Sequence, residues 1–322
     1  MPPRGLACLF LGLLAYPQAG MAQVVTRVVP TGEFVAPKPG EAVQEIRLEE
    51  DRHRRMTVEV TVDGRGPYRF LVDTGADRTA ISRELVGRLN LAPGRPARLH
   101  SATGESRVAT AVVPDLRISA KQVGDVDAPV LDARHVGADG ILGTDSLRAQ
   151  RVLFDFRRDI IAITPASPRL QKDEQDTILV QANRRAGRLI ITEAEAGDQR
   201  LAVVLDSGSE VTIGNRALQR RLLRRGQVRM AGTVELLSVT GEKLAADYAF
   251  LPHLSLGGVE LRNVAVAFAD AHTFRQMGLE DEPALLLGMN AFRAFDKVSI
   301  DFAYRKLRLK LPGAEPARIA SP

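Results

Sequence analysis

Residues 70–82 read FLVDTGADRTAIS, and residues 203–215 read VVLDSGSEVTIGN. In both stretches three apolar residues precede an aspartate, which is followed by Thr or Ser, by Gly, by a small residue and by an acid. The apolar residues predict a buried strand that ends at Asp73 or Asp206, and the glycine lets the chain turn sharply after it. Two such units in one chain indicate an internal repeat.

Three further matches follow in the same order. Residues 101–105 (SATGE) correspond to 238–242 (SVTGE), 140–143 (GILG) to 285–288 (LLLG), and 152–156 (VLFDF) to 298–302 (VSIDF). The aspartates at 73 and 206 are 133 residues apart, and those at 155 and 301 are 146 apart. The two copies therefore differ by small insertions of the kind that loops tolerate. The chain is predicted to be a tandem duplication.

The composition fits a folded protein of two domains. The 322 residues are 45% hydrophobic and 26% charged, which excludes a disordered chain, and a single cysteine excludes a disulfide scaffold. The formal net charge is only +5, and the two signs are mixed along the chain. We therefore interpret the basic excess as solvated surface and expect no nucleic-acid partner.

The N-terminus has the pattern of a secretory signal peptide. An apolar run is followed by small residues, which predicts cleavage between Ala22 and Gln23. We expect residues 1–22 to be a signal peptide and the protein to be exported, to the periplasm in a bacterial source. A retained N-terminal membrane anchor is the alternative. Cleavage would remove Cys8, the one cysteine. Residues 23–54 are an N-terminal arm, either a pro-segment or a flexible tail.

The rest of the chain is rich in strand patterns and poor in helices. Period-two alternation and β-branched runs predict strands throughout, including one at 152–163 and one at 298–311. Short helices are predicted at 83–89, 146–149, 216–225 and 289–295. We expect an all-β protein. Its predicted parts are a first lobe at 55–165, a linker at 166–176, a second lobe at 177–312 and a C-terminal tail at 313–322.

Two aspartates at equivalent turns predict an acid–base pair. A pseudo-two-fold relation between the lobes would bring Asp73 and Asp206 face to face, where like charges favour one shared proton. The ionised carboxylate can then take a proton from water while the protonated one donates to a carbonyl oxygen. Thr74 and Ser207 are expected to hydrogen-bond across the axis. The alternative is a pair of ordinary turns that begin with aspartate.

These motifs resemble those of the aspartic proteases. The Asp-Thr/Ser-Gly turns resemble the family's active-site motif, and residues 141–143 (ILG) and 286–288 (LLG) resemble its second signature. The spacing is similar to that of the retropepsin-like branch, especially its tandem, single-chain bacterial members with a signal peptide. The resemblance covers residues 55–312. It implies a bilobed fold of two retropepsin-like β-barrel lobes related by a pseudo-two-fold axis.

The resemblance also implies roles for individual residues. Asp73 and Asp206 would be catalytic, and the other residues of the two turns would support them, namely Thr74, Gly75, Ala76, Ser207, Gly208 and Ser209. Hairpins called flaps would close over the substrate at Thr103, Gly104, Thr240 and Gly241. Each of these turns has only one glycine and lacks the tyrosine of a pepsin flap, so plain surface turns are the alternative.

The two motifs differ after the glycine, where one has Ala76 and the other Ser209. A hydroxyl that donates to a carboxylate stabilises its charged form. We therefore expect Asp206 to carry the charge more often and Asp73 the proton. The acid that ends each motif either orients a nearby loop or lies in solvent.

Other kinds of site find no support in the sequence. The five histidines are scattered and no cysteines cluster, so we expect no metal ion and no cofactor. A serine-nucleophile turn of the G-x-S-x-G type is absent. Six arginines at positions 216–229 are predicted to lie on the solvated face of a helix. Contact of that face with anionic lipid or an acidic partner is the alternative.

Together these patterns predict an aspartic endopeptidase. Its substrate would be an extended polypeptide that lies between the lobes and is hydrolysed by activated water. Because one chain supplies both aspartates, activity requires no obligate dimer. The alternative is a peptide-binding module on the same scaffold, with catalysis weak or lost.

Overall fold

The computed structural model describes residues 20–21, 25–30, 56–118, 121–168 and 177–313. Most of the predicted signal peptide and N-terminal arm, part of the predicted linker and nearly all of the C-terminal tail lie outside the described residues. Two strands of the N-terminal region are described, β1 (Gly20–Met21) and β2 (Val25–Pro30). Among the helices of the described ranges, none has the length and apolar character needed to cross a membrane.

The first lobe is built around a closed β-barrel. Its elements are β3 (Thr57–Val62), β4 (Arg65–Val72), β5 (Ala80–Ser82), α1 (Arg83–Leu89), β6 (Ala97–His100), β7 (Glu105–Val108), β8 (Thr110–Ile118), β9 (Lys121–Leu131), α2 (Ala133–Val136), β10 (Gly140–Leu142), α3 (Thr144–Leu147), β11 (Gln150–Asp155) and β12 (Ile160–Pro165). Six of these strands close the barrel in the order β10-β4-β3-β8-β9-β5. Strands β6 and β7 form a hairpin outside it.

The second lobe repeats this plan. Its elements are β13 (Ile178–Gln181), β14 (Asn183–Arg185), β15 (Arg188–Ala196), β16 (Gln199–Leu205), β17 (Thr212–Gly214), α4 (Arg216–Arg224), β18 (Arg229–Ser238), β19 (Lys243–Leu256), β20 (Val259–Phe268), α5 (His272–Gln276), β21 (Ala284–Leu287), α6 (Met289–Phe292), β22 (Lys297–Asp301) and β23 (Lys306–Lys310). Six strands form a ring in the order β15-β16-β21-β17-β20-β19, which the β15–β19 pairing closes. The predicted bilobed, all-β fold with two β-barrel lobes is confirmed.

A third sheet joins the two lobes. Its order is β12-β11-β22-β23-β13, so the last hairpin of each lobe contributes two strands. Strands β11 and β22 are the repeated segments VLFDF and VSIDF, and they pair antiparallel with Leu153 opposite Ser299. Because these two residues occupy equivalent repeat positions, the pseudo-two-fold axis passes through this pair. The apolar residues of both barrels continue into one buried cluster.

The helices are short and begin at side-chain caps. The hydroxyl of Ser82 accepts a hydrogen bond from the N–H of Leu85 at 3.1 Å, and the Asn215 side chain accepts one from Leu218 at 2.8 Å. The prediction for 83–89 matches α1, and α4 ends one residue before its predicted limit. In α4 the two leucines that face the barrel are buried, and the arginines at 220, 221 and 224 are exposed. Of the other predicted arginines, Arg216 is half-buried, Arg225 caps the helix, and Arg229 begins β18 rather than lying on the helix.

Several predicted strands needed correction. The β-branched run at 152–163 is not one strand but the hairpin β11–β12, because the chain reverses at Asp159, whose φ is +55°. The run at 298–311 reverses in the same way at Arg305, with φ of +56°. Strand β9, which carries Gly124 and two aspartates, was not predicted because its composition lacks a strand pattern.

Gly288 offers a test of how tightly the second barrel is packed around its signature segment. A Cβ at this position would lie 2.5 Å from the carbonyl carbon of Val211, so the backbone would have to move. We expect Gly288→Ala to lower the free energy of unfolding by about 1–3 kcal/mol. Gly87→Ala is the control, because Gly87 lies in α1 with open space around it. That substitution should stabilise by about 0.5–1 kcal/mol. Equal effects in urea denaturation would contradict the argument.

Candidate active site

Both aspartates of the repeated motif lie where a barrel strand ends. Strands β4 and β16 end one residue before Asp73 and Asp206, respectively. The N–H of Asp73 donates to the carbonyl of Leu142, and that of Asp206 donates to the carbonyl of Leu287, each at 3.0 Å. These acceptors belong to β10 and β21, which pair in parallel with β4 and β16. The second signature therefore lies directly behind each turn and holds its first residue.

In each turn, backbone N–H groups donate hydrogen bonds to the carboxylate of that turn's own aspartate. The N–H groups of Gly75 and Ala76 donate to Asp73 Oδ1 at 2.7 and 3.0 Å. In the second turn the N–H of Gly208 donates to Asp206 Oδ1 at 3.1 Å. Amide donors favour the charged form of a carboxylate and hold the side chain in one orientation.

Hydrogen bonds from Thr74 and Ser207 connect the two turns reciprocally. The Thr74 hydroxyl donates to the carbonyl of Leu205 at 2.8 Å and accepts the N–H of Ser207 at 3.0 Å. The Ser207 hydroxyl donates to the carbonyl of Val72 at 2.8 Å and accepts the N–H of Thr74 at 3.1 Å. Each hydroxyl thus satisfies one donor and one acceptor of the opposite lobe. These are the hydrogen bonds between the lobes that the sequence predicted for Thr74 and Ser207.

The structure brings the two aspartates into close proximity. A Cβ built on Gly75 would lie 2.6 Å from Asp206 Oδ1, and one built on Gly208 would lie 2.3 Å from the carboxyl carbon of Asp73. The carboxylate of the opposite aspartate therefore fills the space where a side chain at each motif glycine would lie. Any larger residue at these positions would push the two aspartates apart. Asp73 and Asp206 are 0% and 1% exposed.

Burial and mutual repulsion control the protonation of this pair. Burial first, and the negative charge of Asp73 second, raise the pKa of Asp206 well above its usual range. The guanidinium of Arg188 and the amides of the turn act in the opposite direction. Because the two carboxylates interact strongly, they titrate as a pair, and the state with one proton spans an interval between two macroscopic pKa values.

The expectation that Asp206 is the more charged partner was wrong in its premise. The hydroxyl of Ser209 does not donate to a carboxylate; it donates to the carbonyl of Val211 at 2.7 Å. Ser209 acts on Asp206 through its backbone N–H, which is the same group that Ala76 uses on Asp73. The serine–alanine difference between the motifs therefore does not distinguish the two aspartates.

Arg188, a residue that the sequence analysis missed, links the second lobe to the first turn. Its Nε donates to the carbonyl of Gly75 at 2.7 Å, and a terminal nitrogen lies 3.8 Å from a carboxylate oxygen of Asp77. The side chain of Arg188 is fully buried. Burial raises the pKa of Asp77 above its usual value, and the positive charge of Arg188 opposes this shift. Asp77 is therefore a partly buried acid rather than a solvated one.

A second hydrogen-bond network, which the sequence analysis also missed, follows each aspartate turn. In the first lobe the N–H and hydroxyl of Thr79 both donate to the carboxylate of Asp145, at 3.0 and 2.8 Å. In the second lobe the N–H and hydroxyl of Thr212 both donate to Asn290 Oδ1 at 2.8 Å. The repeat could have pointed to these residues, because the two threonines and their two acceptors occupy equivalent positions in the two copies. The sequence did not show that they hydrogen-bond, because only the fold brings each threonine next to its acceptor.

The candidate flap residues lie at the turns of two equivalent hairpins. Thr103 and Gly104 connect β6 to β7, and Thr240 and Gly241 connect β18 to β19. The Thr103 hydroxyl donates to the carboxylate of Glu242, which belongs to the other hairpin. The two turns therefore meet. This contact favours the flap interpretation over that of independent surface turns.

Each hairpin also packs against the opposite lobe. Ala102, in the first hairpin, belongs to an apolar cluster of the second lobe, and its carbonyl accepts the N–H of His272 at 2.9 Å. Val239, at the equivalent place in the second hairpin, belongs to an apolar cluster of the first lobe. A Cβ at Gly241 would lie 2.4 Å from the imidazole of His135. The exchange of these contacts holds both hairpins across the interface between the lobes.

A histidine pair lies at one of these crossings. His100 Nδ1 and His272 Nε2 are 3.0 Å apart, and the two rings stack with centroids 5.2 Å apart. Burial lowers the pKa of both imidazoles. Within the described ranges no group of three or more His, Cys, Asp or Glu side chains is arranged to hold a metal ion.

Two β-barrel lobes that place Asp-Thr/Ser-Gly turns face to face define the aspartic-protease class of fold. A family model described as aspartyl protease matches residues 58–146 and 192–291, which together make up more than half of the chain. The chain belongs to the aspartyl protease family. Each matched segment falls in one lobe, so the family unit occurs twice, as the predicted tandem organisation requires.

Among solved structures, the chain is similar to the crystal structure of a retropepsin-like aspartic protease from Rickettsia conorii. The identity is 20% and the TM-score is 0.29, over 42% of this chain and 90% of that chain. No curated protein sequence matches this chain.

The Thr74 hydroxyl is the natural place to test the contacts between the turns. Thr74→Val keeps the shape of the side chain but leaves the N–H of Ser207 and the carbonyl of Leu205 without this partner. We expect a loss of about 2–5 kcal/mol in the free energy of unfolding, since each unsatisfied buried group costs about 1–3 kcal/mol. Thr74→Ser keeps the hydroxyl and should cost much less. Similar losses for both variants in urea denaturation would argue against the hydroxyl's role.

Proposed function

We propose that this protein is an aspartic endopeptidase that hydrolyses peptide bonds with water activated by Asp73 and Asp206. The observation that carries the proposal is the close approach of two buried carboxylates across turns that are linked reciprocally by hydrogen bonds. A binding protein has no need of two mutually repelling acids in a buried site, because each acid that loses its solvation is costly. Membership of the aspartyl protease family supports the same reaction class.

The proposed reaction uses the single proton that the pair shares. One carboxylate is ionised and accepts a proton from water, whose oxygen attacks the carbonyl carbon of the scissile peptide bond. The other carboxyl donates its proton to the carbonyl oxygen, which gives a neutral tetrahedral intermediate with two hydroxyl groups. When the C–N bond breaks, the pair returns one proton to the leaving nitrogen and takes one from a hydroxyl. Atoms balance with water as the only co-reactant.

The two hairpins suit an extended polypeptide substrate. A peptide that passes beneath them can hydrogen-bond to strand edges of both lobes through its backbone, which is the usual mode of strand addition. Because each lobe supplies one aspartate, a single chain contains the complete site. We further propose that the protein acts after export, since predicted cleavage after Ala22 leaves a mature chain without cysteine.

Digestion of a peptide library between about pH 4 and 7 tests this function. We expect cleavage by the wild-type chain and inhibition by a statine-type compound. Asp73→Asn and Asp206→Asn should each lower kcat/KM by at least about 10²–10⁴-fold, the usual contribution of acid–base catalysis. Cleavage that survives both substitutions would refute the assignment. Binding of peptides without any cleavage by the wild-type chain would instead support a peptide-binding module.

Arg188 provides a separate test through the pH dependence of cleavage. Its positive charge lowers the pKa of Asp206. Removing that charge destabilises the ionised form and raises the pKa, so Arg188→Met should shift the whole pH–rate profile towards higher pH. Arg188→Lys is the matched control, because it keeps the charge and loses the bond from Nε to Gly75. A profile that stays in place in Arg188→Met would show that this residue is only structural.

A further inference from the structure

A pair of histidines joins the first hairpin (β6–β7) to the second lobe. His100 is the last residue of β6, and His272 is the first residue of α5. His100 Nδ1 and His272 Nε2 are 3.0 Å apart. In addition, the backbone N–H of His272 donates to the carbonyl of Ala102, at the turn of the hairpin, at 2.9 Å. His272 therefore holds the hairpin both through its ring and through its backbone.

The partners of the His272 ring define its protonation state in this contact. Besides His100 Nδ1, the side-chain amide nitrogen of Gln276 lies 3.0 Å from His272 Nε2. An amide nitrogen donates hydrogen bonds and does not accept them. In this arrangement Nε2 is therefore an unprotonated acceptor, and His100 Nδ1 carries the hydrogen that it donates. The contact requires a neutral His272.

Protonation of His272 removes the attraction between the two rings. A proton on Nε2 leaves donors facing one another with no acceptor between them, and two charged imidazoles at this distance repel. Burial lowers the pKa of both rings, and the charge of His100 lowers the pKa of His272 further. The hairpin that has left the second lobe exposes both rings to water and binds protons more readily. A fall in pH therefore favours release of the hairpin.

The charges around the pair do not compensate for a second proton. Six groups act on the two rings by charge, three acids and three arginines, namely Glu105, Asp77, Asp270, Arg98, Arg188 and Arg275. Glu105 comes close, with a carboxylate oxygen 3.8 Å from His100 Nδ1. However, Glu105 accepts a hydrogen bond from Arg98 at 3.2 Å, Asp270 accepts one from Arg275 at 2.8 Å, and Asp77 lies 3.8 Å from Arg188. Each acid is thus already balanced by an arginine.

The second hairpin (β18–β19) is held in a different way. The repeat aligns His100 with Leu237, which has no titratable group. The turn of this hairpin lies against a single imidazole, since a Cβ at Gly241 would lie 2.4 Å from the ring of His135. A repulsion between two rings can therefore act on the first hairpin and not on the second.

We propose that His100 and His272 are a positioning pair for substrate binding: in their neutral form they seat the first hairpin on the second lobe, and their protonation releases it. The inference rests on the proposed function, because it takes this hairpin as one of the two edges to which an extended substrate adds. The pair acts through the hairpin and does not touch the aspartates or the substrate.

The size of the effect follows from proton linkage. Below the pH at which the seated rings begin to titrate, the seated fraction falls by up to about tenfold per pH unit for each proton bound on release. The apparent affinity for a peptide falls by the same factor, because only the seated hairpin offers its edge. KM therefore rises at acidic pH, whereas kcat remains a property of the aspartate pair.

Hydrogen exchange followed by NMR on the full chain tests the release without requiring activity. The N–H of His272 reports it directly, because its acceptor, the carbonyl of Ala102, lies in the hairpin. We expect the protection factor of this amide to fall at least about tenfold between about pH 7 and 5, in step with the titration of the His272 ring. The N–H of Ala269, which donates to the carbonyl of Gly214 within the second lobe at 2.9 Å, is the internal control and should stay protected. Constant protection of the His272 amide while its ring titrates would overturn the inference.

A double variant removes the titration and keeps the hydrogen bond. His100→Asn puts an amide group near the place of Nδ1, and His272→Gln puts one near the place of Nε2, so the two can pair at every pH. In this variant the protection of the amide at position 272 should change by less than about twofold between about pH 7 and 5. His253→Asn is the matched control, since it removes an exposed imidazole of β19 that bonds to Glu260. It should keep the wild-type response. The same fall in the double variant as in the wild type would contradict the role of the pair.

Peptide cleavage then measures the consequence for substrate. From about pH 7 to 5 the KM of the wild type should rise at least about fivefold, and that of the double variant less than about twofold. The dependence of kcat on pH should have the same shape in both proteins. An equal rise of KM in both would overturn the positioning role. If the protection of the His272 amide falls as expected but no form cleaves peptides, the seating of the hairpin by the pair stands and the proposed function fails.

Discussion

The reciprocal hydrogen bonds between Thr74 and Ser207 are the contact on which the site depends. Two carboxylates that repel each other cannot stay together in a buried place unless the rest of the structure holds them there. Each hydroxyl bonds to backbone groups that flank the opposite aspartate, so movement of one turn breaks bonds in the other. The motif glycines complete this constraint, because only a residue without a side chain leaves room for the opposite carboxylate.

The same pseudo-two-fold axis organises three levels of the molecule. At one level β11 and β22 pair at equivalent residues and make a sheet that both lobes share. At the next the two aspartate turns bond to one another. At the third the hairpin residues Ala102 and Val239 each pack into the other lobe. Neither lobe alone can form the shared sheet, the bonded pair of turns or the exchanged hairpin contacts. The duplicated chain therefore forms one site rather than two independent domains.

Departures from symmetry are small in the described residues and chemically meaningful. Asp145 in one lobe is replaced by Asn290 in the other, yet both accept hydrogen bonds from a threonine N–H and hydroxyl. Strands β1 and β2 break the symmetry in a different way, because β1 pairs in parallel with β6 and β2 pairs antiparallel with β18.

By itself the sequence determined the repeat, the all-β lobes, α1 and the two aspartates, because each depends on local order: apolar runs, turn residues and equal spacing. It did not reveal β9, the hairpin in 152–163, or Arg188, whose partners are 113 and 111 residues away in the chain. The sequence also suggested that the Ser209 hydroxyl donates to a carboxylate, whereas it donates to the carbonyl of Val211. The partner of a hydroxyl depends on its three-dimensional neighbours. Only the tertiary structure decided which groups meet across the axis, because those contacts arise from the packing of distant segments.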